Sequence, residues 1–198
     1  MRLWHPLWDP PDPVSLARGW EATRRADSLR AGTERERACI AALSSFYRDW
    51  KRVGHRTRAV AYEHAMEKLH ARFPADTEAS VFYALALNAT LLYSDKTYEQ
   101  QRRAGAILEP IYARQPDHPG VVHYLIHSYD FPTLAERALP YARHYAEIAP
   151  RVPHALHMPS HIFTRLGMWD EAIQSNLASA QAGRKYSASN YRGAVYYD

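Results

Sequence analysis

Two histidine pairs recur at a fixed distance: His123 and His127 reappear 34 residues on as His157 and His161. Each pair is four residues apart, which on a helix puts both imidazoles on one face. Imidazole is the commonest protein ligand for zinc, copper, iron and nickel, and an i, i+4 pair is a compact way to supply two ligands. His123, His127, His157 and His161 are therefore the candidate metal ligands, for a divalent transition metal such as zinc, copper or iron. Three neighbours extend the patch. Asp130 lies three beyond His127, Arg165 four beyond His161, and His154 three before His157. His154, Asp130 and Arg165 form the candidate ligand-binding set, with Asp130 as an oxygen ligand or as the acceptor that fixes an imidazole tautomer. Met158, beside His157, is read as core packing before it is read as a soft copper ligand.

The reaction classes are bounded by what is missing. There is no H-E-x-x-H, no phosphate-binding glycine loop, and no serine in a G-x-S-x-G turn. A metal with an open position could activate water, with a spare histidine as general base. A metal-free version would pair a histidine with Asp130. Three functions remain open at this point: a binding scaffold with a histidine-rich ligand or metal site, a metal-dependent enzyme on the same cluster, and a plain protein–protein adaptor with structural histidines. His5, His55, His64 and His70 are read as surface or loop residues.

The elements that must position these residues are helices. Alanine, leucine, arginine and glutamate dominate, apolar residues fall at helical spacing, and no hairpin signal of the Asn-Gly or Asp-Gly kind occurs. The 34-residue offset also links Pro116 to Pro150, Pro119 to Pro153, Tyr129 to Phe163 and Ala138 to Ala172. A fixed period of this size marks a stacked-repeat architecture. One unit has Val122, Leu125, Ile126 and Tyr129, then Ala138, Ala142 and Pro150. The next has Leu156, Pro159, Ser160 and Phe163, then Ala172 and Asn176, with Gly167 closing one helix and Trp169 and Ala172 packing the next against it. Weaker copies run upstream through Phe82, Leu85, Ala86 and Ala89, and through Ile40, Leu43, Ser44 and Tyr47. Tyr47, Phe82 and Tyr129 read as packing aromatics.

These residues resemble the tetratricopeptide pattern. The stretches HPGVVHYLIHSYD and PHALHMPSHIFTRLGMWDEA resemble more narrowly a family of bacterial tetratricopeptide-repeat proteins with a histidine-rich signature. The resemblance implies an all-α solenoid of helix-turn-helix repeats, incomplete at both ends. The approximate units are an orphan helix at 12–32, pairs at 33–76, 77–118, 119–152 and 153–186, and a partial helix at 187–198. It also implies that the first-helix histidines line a concave groove, where a protein, a peptide or a small ligand binds. Solenoid ends normally carry polar caps. Here Leu3, Trp4, Leu7 and Trp8 at one end, and Tyr191, Val195, Tyr196 and Tyr197 at the other, predict a longer protein or self-association through the ends.

Composition narrows the rest. The net charge is +4 with the basic residues dispersed, which is a solvated surface and not a nucleic-acid module. The single cysteine, Cys39, excludes an internal disulfide and any multi-cysteine zinc site. No apolar run is long enough to span a membrane, and the proline-broken start, with Pro6, Pro10, Pro11 and Pro13, is not a signal peptide. A soluble chain with neither membrane nor nucleic-acid partner is expected, in a compartment the composition leaves open. One position threatens the site geometry. Pro159, between His157 and His161, cannot donate a helical hydrogen bond. Either a helix begins near Pro153 and kinks at Pro159, or it begins at Pro159 and leaves His154 and His157 on a loop.

Overall fold

Strong local signals start the helices where they start. The computed structural model describes residues 5–30, 32–92 and 94–190. Among them all regular structure is helical. Leu3, Trp4, Tyr191, Val195, Tyr196 and Tyr197, on which the expectation of pairing ends partly rests, lie outside the described residues. The chain divides into two units, Met1–Arg103 and Ala104–Asp198.

In the first unit, α1 (Pro13–Ser28) begins at an aspartate cap. The Asp12 carboxylate accepts from the amides of Val14 and Ser15, at 2.9 and 3.0 Å. Next, α2 (Glu34–Tyr47) starts with a full capping box between Thr33 and Glu36. After it come α3 (His55–Arg72) and α4 (Thr77–Thr90), the latter capped by Asp76. Each of these helices packs on the next in sequence. The end of α2 is held by a buried cation: the Arg58 guanidinium donates to the carbonyls of Phe46 and Val53, both at 3.1 Å, and lies over the Phe46 ring. The Phe46 carbonyl is one that a helix end leaves orphaned, and the Val53 carbonyl belongs to the turn that follows.

The helix α5 (Glu99–Tyr112) holds the division between the units. In the second unit follow α6 (Pro119–Tyr129), α7 (Ala135–Ile148), α8 (Pro153–His157), α9 (Pro159–Arg165) and α10 (Trp169–Asn190). Here α6 packs on α7, α7 on α9, and both α8 and α9 on α10. Where the sequence suggests a new helix from Ser187, α10 is continuous to Asn190.

Two arrangements recur. In α1 and α5 a glycine makes room for a tyrosine of the following helix. A Cβ on Gly19 would lie 2.2 Å from the Tyr47 ring, and one on Gly105 would lie 2.0 Å from the Tyr129 hydroxyl. A tyrosine is also held twice by a glutamate and an arginine. Tyr83 donates to Glu67 and carries Arg103 over its ring. Tyr129 donates to Glu109 at 2.8 Å and carries Arg137 over its ring, while Arg137 reaches the same carboxylate at 2.8 Å. No spacing of the sequence pattern pointed to these clamps, because glutamate and arginine come from helices on either side of the tyrosine's own.

Three expected packing residues sit outside the core. Phe82 is 41% exposed, Leu43 45% and Trp169 62%. The buried positions beside them are Val81, Tyr83 and Phe46 in the first unit and Ala172 in the second. On α4 the expected Leu85 and Ala86 are fully buried, and so are residues on the helix's other faces; Phe82 is the member of the set that faces out.

Candidate metal centre

The second unit builds its site on α6 and on the interrupted helix α8–α9. His118 opens α6 by accepting from the amide of Val121 at 3.3 Å, and Pro119 sits where a missing amide costs nothing. Val121, Val122, Leu125, Ile126 and Tyr129 then bury one face of α6. His123 and His127 are left on the other, each half-buried. His118 is thus accounted for by capping. His144 pairs instead with Asp117, at 2.9 Å, on α7.

Pro159 interrupts the helix without turning it into a loop. The α8 segment runs Pro153–His157 and α9 runs Pro159–Arg165, with Met158 between them in helical conformation at φ −50° and ψ −37°. A residue before proline is normally pushed out of that region. Met158 is held there by its amide donating to the His154 carbonyl at 3.0 Å and by full burial of its side chain. Met158 is core packing. The four-residue relation of His157 and His161 survives, and their Nε2 atoms lie 3.0 Å apart.

All five imidazoles come together in a closed ring. Around it the centroid separations are 4.7 Å from His123 to His127, 6.3 Å to His161, 4.9 Å to His157, 6.3 Å to His154 and 4.9 Å back to His123. His123 sits at one corner and stacks on Tyr124 and on Tyr145. Its Nε2 is 3.0 Å from Nε2 of His127 and 3.1 Å from Nε2 of His154. One nitrogen each from His123, His127 and His154 lie within 4.8 Å of one another, a grouping that could hold a metal ion. His154, placed by sequence with the ligand-binding residues, therefore stands among the candidate ligands, and His157 and His161 form a separate pair. The neighbour of His123 across the helices is His154. The spacing argument pointed to His157, one repeat on; His154, three residues earlier on the same face, takes that place.

The oxygen groups take the outer positions. Asp130 accepts from Nδ1 of His161 at 2.9 Å through one oxygen and from Nε of Arg165 at 2.8 Å through the other. Burial alone would raise its pKa, but the hydrogen bonds from His161 and Arg165 together outweigh it and hold the carboxyl below the usual aspartate value. Asn176, on α10, reaches His157: its Oδ1 lies 2.7 Å from Nδ1. Sequence reasoning missed this residue as part of the site, since only the packing of α8 on α10 brings it there. Desolvation, with the neighbouring imidazoles of His161 and His154, pushes the pKa of His127 down to about 3. His127 is thus a neutral imidazole at neutral pH, the form that ligates metals.

Chemically, the ring offers imidazole nitrogens on one side and a carboxylate–guanidinium pair on the other. No helix among the described residues is long and apolar enough to cross a membrane. Comparison of the chain with family models, with curated proteins and with solved structures gives no match in any of the three.

Proposed function

We propose that this chain is a tetratricopeptide-type binding scaffold whose histidine ring holds a divalent transition-metal ion at His123, His127 and His154. The observation that carries the reading is the convergence on His123. A neutral imidazole nitrogen has one in-plane function, either a hydrogen or a lone pair. Nε2 of His123 faces two other Nε2 atoms, at 3.0 and 3.1 Å, and one hydrogen cannot lie in line with both. Three lone pairs can converge on one cation. Metal–nitrogen bonds of about 2.0–2.1 Å place cis ligands about 2.9 Å apart in an octahedral site and about 3.3 Å apart in a tetrahedral one. The two separations from Nε2 of His123 fall between these values, and the three ligand atoms all lie within 4.8 Å of one another. Zinc, copper and iron all suit an all-imidazole set.

Three protein ligands leave at least one position of such an ion for something else. A peptide carboxylate or a small anionic ligand fits that position, with Arg165 of the same patch as its counter-charge. The repeated glycine–tyrosine contacts and the repeated Tyr–Glu–Arg clamps favour a repeat scaffold. The concave placement of the ring follows from the resemblance.

The test is metal analysis of the full chain purified without a histidine tag and loaded with zinc. Binding of zinc with a dissociation constant below about 1 μM, lost in the double variant His123→Ala/His154→Ala while the circular dichroism spectrum is kept, supports the reading. Zinc binding that survives the double change sinks it and leaves the adaptor with structural histidines.

A further inference from the structure

We infer that the ring holds two metal ions, the second on Nε2 of His157 and Nε2 of His161, facing the first. The inference rests on the reading above only for the count of two, since a different observation places the second ion. That observation is the tautomer each imidazole is forced to adopt.

Nδ1 of His161 faces a carboxylate oxygen of Asp130 at 2.9 Å. An ionised carboxylate only accepts, so Nδ1 must carry the hydrogen. Nδ1 of His157 faces Oδ1 of Asn176 at 2.7 Å. The amide of Asn176 is oriented independently, because its Nδ2 donates to the Ala172 carbonyl at 3.0 Å. Its oxygen therefore accepts, and Ser160 adds a second, longer donor to that oxygen at 3.4 Å. His157 is thereby fixed as the Nδ1–H tautomer too.

Both hydrogens of this pair are now spent on outer partners. Each neutral ring has one N–H, so both Nε2 atoms carry bare lone pairs, and they face one another at 3.0 Å. Two lone pairs at that distance repel, and either a shared proton or a metal ion between them removes the repulsion. A metal ion does this with both rings neutral and both outer hydrogen bonds kept, and it is the choice that the outer acceptors favour. Histidine ligands characteristically donate their other N–H to a carboxylate or an amide oxygen, which fixes the ring and raises its basicity. Asp130 and Asn176 supply one such acceptor each. The first group of ligands, His123, His127 and His154, has its own three nitrogens and needs neither His157 nor His161.

The ring is then read as two half-sites. One has three imidazoles and the other two, and both ions share the ring's interior. The second ion keeps more open positions, so an oxygen ligand such as a carboxylate or a phosphate could bridge the two, in the manner of two-metal sites.

The experiment is zinc stoichiometry by elemental analysis on the untagged full chain. It is paired with cobalt substitution, whose visible absorption reports nitrogen ligands at each ion. Two equivalents in the native chain, one in His157→Ala/His161→Ala and one in His123→Ala/His154→Ala, support the inference. One equivalent in the native chain, kept by His157→Ala/His161→Ala, overturns the second ion and leaves the first reading standing. One equivalent lost in both double variants means one ion shared across the ring, which also overturns it. No bound zinc overturns both. Should a double variant fail to fold, Asn176→Leu serves instead. Loss of that acceptor is expected to weaken one of two zinc ions about 10–100-fold and spare the other. Equal affinity for both ions in Asn176→Leu counts against the inference.

Discussion

Replacing Asp130 with asparagine changes one oxygen for one nitrogen, and the structure says which way the new amide must turn. Asp130 now accepts twice, from His161 and from Arg165. An asparagine can accept through its oxygen and must donate through its nitrogen. Arg165 cannot accept a hydrogen bond, whereas His161 can, by moving its hydrogen from Nδ1 to Nε2. The amide oxygen therefore turns to Arg165 and its NH2 to Nδ1 of His161. His161 becomes the Nε2–H tautomer and donates to Nε2 of His157, 3.0 Å away. A pair of ligands becomes a hydrogen-bonded pair. Outer partners of ligating histidines are worth about 10–100-fold in metal affinity, or about 1.4–2.7 kcal/mol. The fold should lose less. The Arg165 side chain is 44% exposed, so its ion pair with Asp130 contributes at most about 1 kcal/mol after solvent screening. Two measurements follow. Competition of zinc against a coloured chelator should show one site weakened about 10–100-fold. Nitrogen chemical shifts of the His161 ring in metal-free protein should show the hydrogen on Nδ1 in the native chain and on Nε2 in the variant. An unchanged tautomer together with unchanged zinc affinity would refute the argument, since every step passes through the hydrogen on Nδ1.

Three further outcomes are expected. Gly105→Ala should destabilise the protein by about 1–3 kcal/mol in urea unfolding, even though alanine is the better helix former by about 1 kcal/mol, because the new Cβ would meet the buried Tyr129 ring at 2.0–2.7 Å; a stabilised variant would show that the ring yields freely. Met158→Ala empties a fully buried position at the α8–α9 junction and should cost about 2–5 kcal/mol in the same assay. Asp76 is the pH test: the hydrogen bond from Arg35 holds its pKa below the usual 3.8, so its contribution is complete above that value and is lost as pH falls through the lower folded value. Asp76→Asn keeps the α4 cap and should flatten that part of the acid unfolding curve; an unaltered acid limb counts against it.

Much of the candidate site was legible because it depends on local geometry. The four-residue spacing of His123 and His127 needed only a helix, and Nε2 atoms 3.0 Å apart are the result. The parts that were not legible depend on what a helix packs against. Asn176 is 19 residues from His157 in sequence and meets it because α8 lies on α10. Phe82 carried the right residue type for a core position, yet it is 41% exposed while Leu85 and Ala86 of the same helix are fully buried, because α4 is enclosed on nearly every face but that one. Packing likewise decided between His154 and His157 as the neighbour of His123. Helical conformation carried through Met158 keeps both in the ring as adjacent corners, 6.3 Å apart.

Pro159 is the residue on which local and tertiary demands conflict, and the conflict is informative. It removes the amide that would bond to the Ala155 carbonyl and disfavours the helical geometry that Met158 nevertheless adopts. A leucine or alanine there would satisfy the helix better. The interruption lies between the two histidines of one pair, and it divides a seam that α6 carries without a break. On an unbroken helix His154, His157 and His161, at i, i+3 and i+7, share one face within about 60°. Helical conformation kept through Met158 holds that face together, so that His154 meets His123 at 3.1 Å while His161 reaches Asp130 at 2.9 Å. The helix gives up one backbone hydrogen bond at Pro159 and keeps its histidine face across it, with Met158 and Pro159 both buried. Local rules fail most often where function sets the geometry, and here one fails between His157 and His161.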